Sequence, residues 1–481
     1  MKKYFIYLTA ISFIGILCCC NQNRNKQKLL NEIQDEKQQL ALEKAQRVQK
    51  QEQLADSLAR LPKGVSFQEE RNIDTQHPPV PVNIIANRTV SDTIRLSRFF
   101  KKIKYIPLES VPDTLFYKGN IEYIIGKNHI YGFSRLVGLV QYDLQGHYLG
   151  FICKNKAEYT SYHGHVSMYP EHMEEYKCVT DAYFSGNHIC YQYTDFPSNK
   201  ISLVAFNDEA DCNNIGLSQN TNNEIEINNL KGEVIFEQVN NFTAKNTIPF
   251  LIGNNLIAIA QKRKPVESNI DLISILSSKG DTLCHFKDYD PITGYSQHLY
   301  RDIDSYYSYY LDQIFHFKPA YNDTIFQLIL PNKIIPKYVF NFGNQGVTNA
   351  NDGINPRFSV EDKLILNNFL ESDNYLFITY TQNYVSPNNS REGKLKFSRV
   401  IFDKQNKKVI PVYTDKLPST RKEQQAWPSP PDLNIKNDLD EVPFFWPVGV
   451  TPKGNPYSTF VKGIPVKANS SKYITVLAIY E

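Results

Sequence analysis

The chain has 481 residues, 41% hydrophobic and 13% aromatic, with 53 basic and 50 acidic side chains and a formal net charge of +3. So even a balance excludes the electrostatic footprint of a nucleic-acid binder, or of a receptor for a strongly acidic ligand.

The first element is a targeting segment. Lys2 and Lys3 form a short positive start, and Tyr4 to Leu17 is an almost uninterrupted apolar run. A bilayer-spanning helix needs about 20 apolar residues, so this shorter run reads as a cleaved signal. It ends in Leu17-Cys18-Cys19-Cys20-Asn21. A bacterial lipoprotein signal places an apolar residue three before the modified cysteine and a small residue directly before it. Cys20 fits best, with Leu17 and Cys19 in those places, and Cys19, with Ile16, is the alternative. Residues 1–19 are therefore expected to be removed and Cys20 to carry the lipid. Each buried CH₂ of that lipid contributes about 0.8 kcal/mol to membrane attachment.

Residues 20–61 follow as a stalk, rich in Gln, Lys, Glu, Leu and Ala and free of Gly and Pro from Gln22 to Leu61. The composition predicts a helix. Ile33, Leu40, Leu54 and Leu61 share one heptad position, interrupted by Arg47, while its companion holds Leu30 and Leu58 but also Lys37, Lys44 and Gln51. So interrupted a seam is a poor coiled coil. The expected form is a solvated helical spacer about 60 Å long, with a dimerising coil as the alternative. Pro62 and Gly64 end the helix. His77-Pro78-Pro79-Val80-Pro81 marks an extended stretch, so residues 62–88 are expected to be a linker and residues 89–481 the folded body.

Within the body a phrase recurs. It reads Ile125-Gly126-Lys127-Asn128-His129-Ile130-Tyr131, then Ser185-Gly186-Asn187-His188-Ile189-Cys190-Tyr191, then Ile252-Gly253-Asn254-Asn255-Leu256-Ile257, and later Ser372-Asp373-Asn374-Tyr375-Leu376-Phe377. The Asn positions are separated by 59 (187−128), 67 (254−187) and 120 (374−254), the last being two periods near 60. Strand-type residues following a turn at such a period predict a radial β-repeat. Hairpins are expected at Val140–Leu149, at Leu272–Ile275 with Lys279-Gly280-Asp281, and at Val400–Asp403 leading to Val409-Ile410. A further hairpin, around Tyr321–Leu328, supplies the unit missing between residues 254 and 374. The last unit, from about Asn437 to Ile479, is the most degenerate. Six units fit the length, so the fold class is all-β, a six-bladed propeller of small sheets around one axis.

These residues resemble the 6-bladed β-propeller lipoprotein family of Bacteroides-type bacteria, a TolB-like architecture. Ile103-Lys104-Tyr105-Ile106-Pro107-Leu108-Glu109-Ser110 is similar to that family's opening strand. Tyr142-Asp143, Gly146 and Leu149-Gly150 match its first hairpin. Tyr321–Phe326, followed by Pro336–Gly343, resembles a mid-chain phrase. The chain departs from the family at Lys154-Asn155-Lys156-Ala157-Glu158-Tyr159, which keeps Glu and Tyr but lacks the usual Gly-rich, Pro-containing loop. The resemblance implies an outer-membrane lipoprotein. Asn21-Gln22-Asn23-Arg24-Asn25 lacks the acidic run associated with surface export, so a periplasm-facing position is expected. Asp56-Ser57-Leu58 resembles the O-glycosylation acceptor of such bacteria, making Ser57 the candidate site.

The densest group of potential metal ligands is His163, Gly164, His165, Glu171 and His172. Its spacing matches no zinc pattern, so a polar surface loop is the expected role, with His163, His165 and His172 as the metal candidates. Tyr306, Tyr307, Tyr309, Tyr310, Trp427 and Trp446 are candidates for stacking against a sugar or peptide, because they join an apolar face to a polar edge. Beyond the signal, Cys153, Cys178, Cys190, Cys212 and Cys284 form no disulfide framework. Cys190 and Cys284 read as core residues, and one bridge among the other three remains open. His129 and His188 hold equivalent repeat positions and read as structural. The body contains no Gly-x-Ser-x-Gly elbow, His-Glu-x-x-His, phosphate-cradling glycine loop or Cys-x-x-Cys pair.

The expected function is a lipid-anchored, non-catalytic binding or scaffolding module of the cell envelope. Its expected partners are the membrane, through the lipid, and a glycan, peptide or envelope protein. No cofactor is required. The alternative is a metal-assisted hydrolase, lactonase or lyase at the channel mouth, using a divalent cation such as Ca²⁺.

Overall fold

The structure is a computed structural model of the chain. It describes residues 35, 38–39, 42–43, 45–46, 49–58, 60–71, 78–85, 93–112, 121–134, 138–154, 160–162, 165–167, 177–185, 188–195, 200–208 and 233–239. It further describes residues 247–252, 256–261, 271–277, 281–287, 307–311, 314–319, 322–346, 363–382, 396–416, 433–467 and 470–481. The signal segment, Cys20, His163, His172, Tyr306 and Trp427 lie outside the described residues. The chain forms two compact units, Met1–Gln53 and Leu54–Glu481. In the first, every described position is helical.

The second unit is a six-bladed β-propeller. Blade 1 comprises Ile121–Ile125, His129–Ser134, Gly138–Asp143 and Tyr148–Lys154, and blade 2 Lys177–Ser185, His188–Asp195, Lys200–Asn207 and Glu233–Val239. Blade 3 comprises Thr247–Ile252, Leu256–Gln261, Asp271–Ser277 and Thr282–Lys287, and blade 4 Tyr307–Leu311, Ile314–Lys318, Thr324–Ile329 and Lys333–Asn341. Blade 5 comprises Leu364–Glu371, Tyr375–Gln382, Lys396–Asp403 and Lys408–Lys416. Each is an antiparallel meander in chain order. The first strands of blades 5 and 6, 6 and 1, and 1 and 2 approach one another, which places first strands at the axis and fourth strands at the rim.

Blade 6 has a different origin. Gly449–Val450, Pro456–Lys467 and Ser470–Tyr480 supply three strands, and Ile103–Pro107 pairs with Val476–Tyr480 as the fourth. The stretch that resembled an opening strand is therefore the outer strand of the last blade, and it closes the ring.

The recurrent phrase is the hairpin between first and second strands of blades 1, 2, 3 and 5. The predicted hairpins join third and fourth strands of blades 1, 3 and 5, whereas the Tyr321–Leu328 region spans the turn from the second strand of blade 4 into its third, and so provides the missing unit. Because each blade packs between two neighbours, both faces of its strands are apolar. Leu256 and Ala258 join the seam between blades 3 and 4, while Ile257 and Ile259, also buried, alternate with them. Buried clusters fill all six seams. Gly146, in the blade 1 hairpin, has φ +94° and lies so close that a Cβ would strike the Pro107 carbonyl of the closing strand. Only glycine fits there.

The N-terminal part of the second unit differs from the expected spacer and linker. Leu54, Ala55, Leu58 and Leu61 pack with Leu283, Phe286, Phe315 and Leu330 in the seam between blades 3 and 4, Leu58 being only 4% exposed. The i, i+1, i+4 spacing of Leu54, Ala55 and Leu58 forms one helix face, and Leu61 extends the apolar contact beyond the helical residues. Three heptad leucines, Leu54, Leu58 and Leu61, are thus part of a docking face on the propeller. Phe67 N–H then donates to Leu283 O at 2.7 Å. Glu70–Arg71 and Val80–Asn83 pair in parallel with Lys333–Ile334 and Tyr338–Asn341 on the rim strand of blade 4. A proline is tolerated here because Pro81 sits on a sheet edge. Ile94–Arg95 pairs with Ile435–Lys436 before the chain enters blade 6. The described residues between Leu54 and Pro107 therefore form a belt that touches blades 3 to 6.

Candidate functional site

Strand alternation divides the tyrosine run between two seams. On the first strand of blade 4, Tyr307 and Tyr309 pack toward blade 5, and Tyr310 packs toward blade 3. Tyr309 stacks on His316 with centroids 4.8 Å apart and meets the Phe369 edge at 5.4 Å. Tyr307 packs on Phe369 and lies 5.8 Å from the Lys318 ammonium. These rings build seams and are half-buried.

Tyr309 leads to a buried polar group that joins blades 4 and 5. Glu371 ends the first strand of blade 5, and its side chain is 0% exposed. Its Oε2 accepts from Tyr309 OH at 2.5 Å and Lys337 Nζ at 3.1 Å. Its Oε1 accepts from Tyr338 OH and Lys404 Nζ, each at 2.8 Å. Three of the four donors come from blade 4, so one carboxylate ties two blades. Burial alone raises the Glu371 carboxyl, but Lys337 and Lys404 outweigh it and hold it at about 2. Burial beside this carboxylate pushes both tyrosine hydroxyls up.

His316 completes the group. Its Nδ1 lies 2.9 Å from Ile314 O, and since a carbonyl only accepts, Nδ1 carries the proton. Nε2 is then the acceptor for Lys337 Nζ at 2.9 Å. Burial, with Lys337 beside it, pushes the imidazole down to about 3, so it is neutral. Lys337 and Lys404 are 24% and 22% exposed at the margin.

Two further clusters contain residue types used in catalysis. In blade 3, His285 Nδ1 donates to Asp271 Oδ2 at 2.6 Å, and Ser274 Oγ donates to the same oxygen at 3.0 Å. Ser274 lies 3.1 Å from that same ring nitrogen. A serine activated by histidine needs the opposite nitrogen, so this is a clamp between strands and not a nucleophile with its base. Between blades 1 and 2, buried Asp208 accepts from Asn128 N–H at 2.8 Å and Tyr131 OH at 2.6 Å, and its carbonyl takes His129 Nδ1–H at 2.6 Å. His129 is structural, as its repeat position implied.

Trp446 meets Phe377 at 5.5 Å and carries the Arg399 guanidinium at 5.2 Å from its ring, in the seam between blades 5 and 6. His165 lies in a short strand paired with Thr160–Tyr162. Among the described residues no three His, Cys, Asp or Glu side chains converge as a metal site. Cys153, Cys190 and Cys284 are buried free thiols. Ser57 is exposed on the belt helix, beside buried Leu58.

Sequence reading missed Glu371, Lys337, Lys404 and His316, because the four come from four strands or turns of two blades. The available signal was Ile314-Phe315-His316-Phe317-Lys318, where polar residues fill alternate positions of an otherwise apolar strand.

Among known families, the one described as a domain of unknown function, DUF4933, matches residues 62–467. No curated protein matches. Among solved structures, a crystal structure of a DUF4221 family member from Bacteroides vulgatus aligns over 79% of this chain and 97% of its own. Identity is 11% and the TM-score 0.38, a likeness that carries no functional argument.

Proposed function

We propose that this chain, which belongs to the DUF4933 family, is a lipid-anchored, non-catalytic binding or scaffolding module of the cell envelope. The observation that carries the non-catalytic reading is the saturation of Glu371, whose two oxygens take four donors inside a closed seam. A general acid, base or nucleophile has to reach its substrate, and this carboxylate is consumed by joining blades. The Ser274–Asp271–His285 geometry supports the same reading.

The anchor is Cys20, read from the signal that precedes it, on a periplasm-facing outer-membrane lipoprotein. The partners proposed are a glycan, a peptide or an envelope protein, held by loops between blades. The test uses the mature chain from Cys20 onward, in elemental analysis and in thermal-shift screens against divalent cations, glycans and envelope extracts. A glycan or protein that raises the melting temperature without being turned over is the expected result. A stoichiometric metal with a cation-dependent rise, or turnover of a ligand, would replace this reading with the metal-assisted hydrolase.

A further inference from the structure

We propose that His316 and Lys337 form an acid-sensitive latch on the seam between blades 4 and 5. The latch depends on a hydrogen bond that only neutral imidazole can make. With Nδ1–H committed to Ile314 O, Nε2 must offer its lone pair to the Lys337 ammonium, 2.9 Å away. The same ammonium crosses the seam to Glu371 at 3.1 Å. A proton on Nε2 sets N–H against N–H, so Lys337 must leave His316, and the two ammonium groups held by Glu371 then face a third cation.

The groups around the imidazole leave little room for compensation. Tyr309 covers one ring face, Lys337 and Tyr338 come from the outer strand, and Lys318 lies two residues along its own strand. Blade 5 contributes Glu371 and Lys404, already paired to each other at 2.8 Å. Glu371 attracts an imidazolium, but both its oxygens are occupied, and the two lysines oppose the charge. Relief comes from parting the blades, which lets water reach His316. The belt crosses this seam through Val82 and Ile84, so acid also loosens the hold of the belt there.

The expected magnitude follows from proton linkage. An opened seam returns His316 to its ordinary value near 6.5, so opening rises about 30-fold between pH 7.5 and 5. The experiment is amide hydrogen exchange on the intact protein, corrected for intrinsic rates, with Leu364–Glu371 and Tyr307–Leu311 compared to Ile121–Ile125 of blade 1. Protection should fall about 30-fold in the first two segments and stay constant in the third. In His316→Gln, whose amide can accept from Lys337 and donate to Ile314 O, the pH dependence should vanish. If that variant does not fold, histidine NMR of the wild-type protein decides: the His316 ring should keep its Nδ1–H neutral form at every pH where the seam stays protected. Equal loss in all three segments, no loss at all, or His316 titrating near 6.5 with protection intact would overturn the latch.

Discussion

Replacing Glu371 by Gln tests whether one carboxylate holds two blades together. Glutamine keeps the shape but has one acceptor oxygen and one NH₂. Either orientation turns the NH₂ toward a tyrosine hydroxyl and an ammonium, Tyr338 with Lys404 or Tyr309 with Lys337. Two charge-assisted hydrogen bonds are lost, and both lysines lose their anion. Breaking a buried pair in this way costs about 3–5 kcal/mol. The titration of Glu371 provides a second route to the figure. Lowering its carboxyl from the ordinary 4.5 to about 2 corresponds to about 3 kcal/mol at about 1.4 kcal/mol per pH unit. Because the folded value is depressed, that stability is full above pH 4.5 and is lost as pH falls toward 2. Denaturant unfolding at a series of pH values should show Glu371→Gln less stable by about 3–5 kcal/mol at pH 7. The limb between 4.5 and 2 should flatten in the variant. A loss under about 1 kcal/mol at pH 7, the scale of an exposed ion pair, would refute the reasoning.

Leu58→Ala should cost about 2–4 kcal/mol in the same assay if the belt helix is docked, whereas exposed Ser57→Ala should stay within about 0.5 kcal/mol. Equal small effects would restore the solvated spacer. Gly146→Ala should lower the melting temperature, since it strains a φ of +94° and drives a methyl into the Pro107 carbonyl that closes the ring. A melt equal to wild type would show that the closing strand yields there. Asp208→Ala leaves the Asn128 N–H and Tyr131 O–H without their carboxylate, and should cost about 2–4 kcal/mol, read from denaturant midpoints. Cys20→Ser should move the protein from the membrane fraction to the soluble fraction, with its melting temperature unchanged.

Architecture was legible where local chemistry repeats. The turn sequences Gly126-Lys127-Asn128 and Gly186-Asn187, each followed by apolar strand residues, specify a hairpin whatever lies around them, and their period of about 60 counts blades. Gly146 marked its turn for the same local reason. What the chain alone determined is therefore the meander, the number of its copies and the structural role of His129. Tertiary structure decided whatever needs two distant segments to meet. Leu54 and Leu58 sit at heptad positions whether they face another helix, solvent or a propeller seam; the pattern specifies an apolar face and leaves its partner open. Ile103–Pro107 reads as a strand but carries no mark that its neighbour is Val476–Tyr480, over 300 residues away. Glu371 looks like any polar residue at the end of a strand. Only the packing of blade 5 against blade 4 puts Tyr309, Lys337 and Tyr338 around it, because a buried charge depends on convergence in space and not on spacing along the chain.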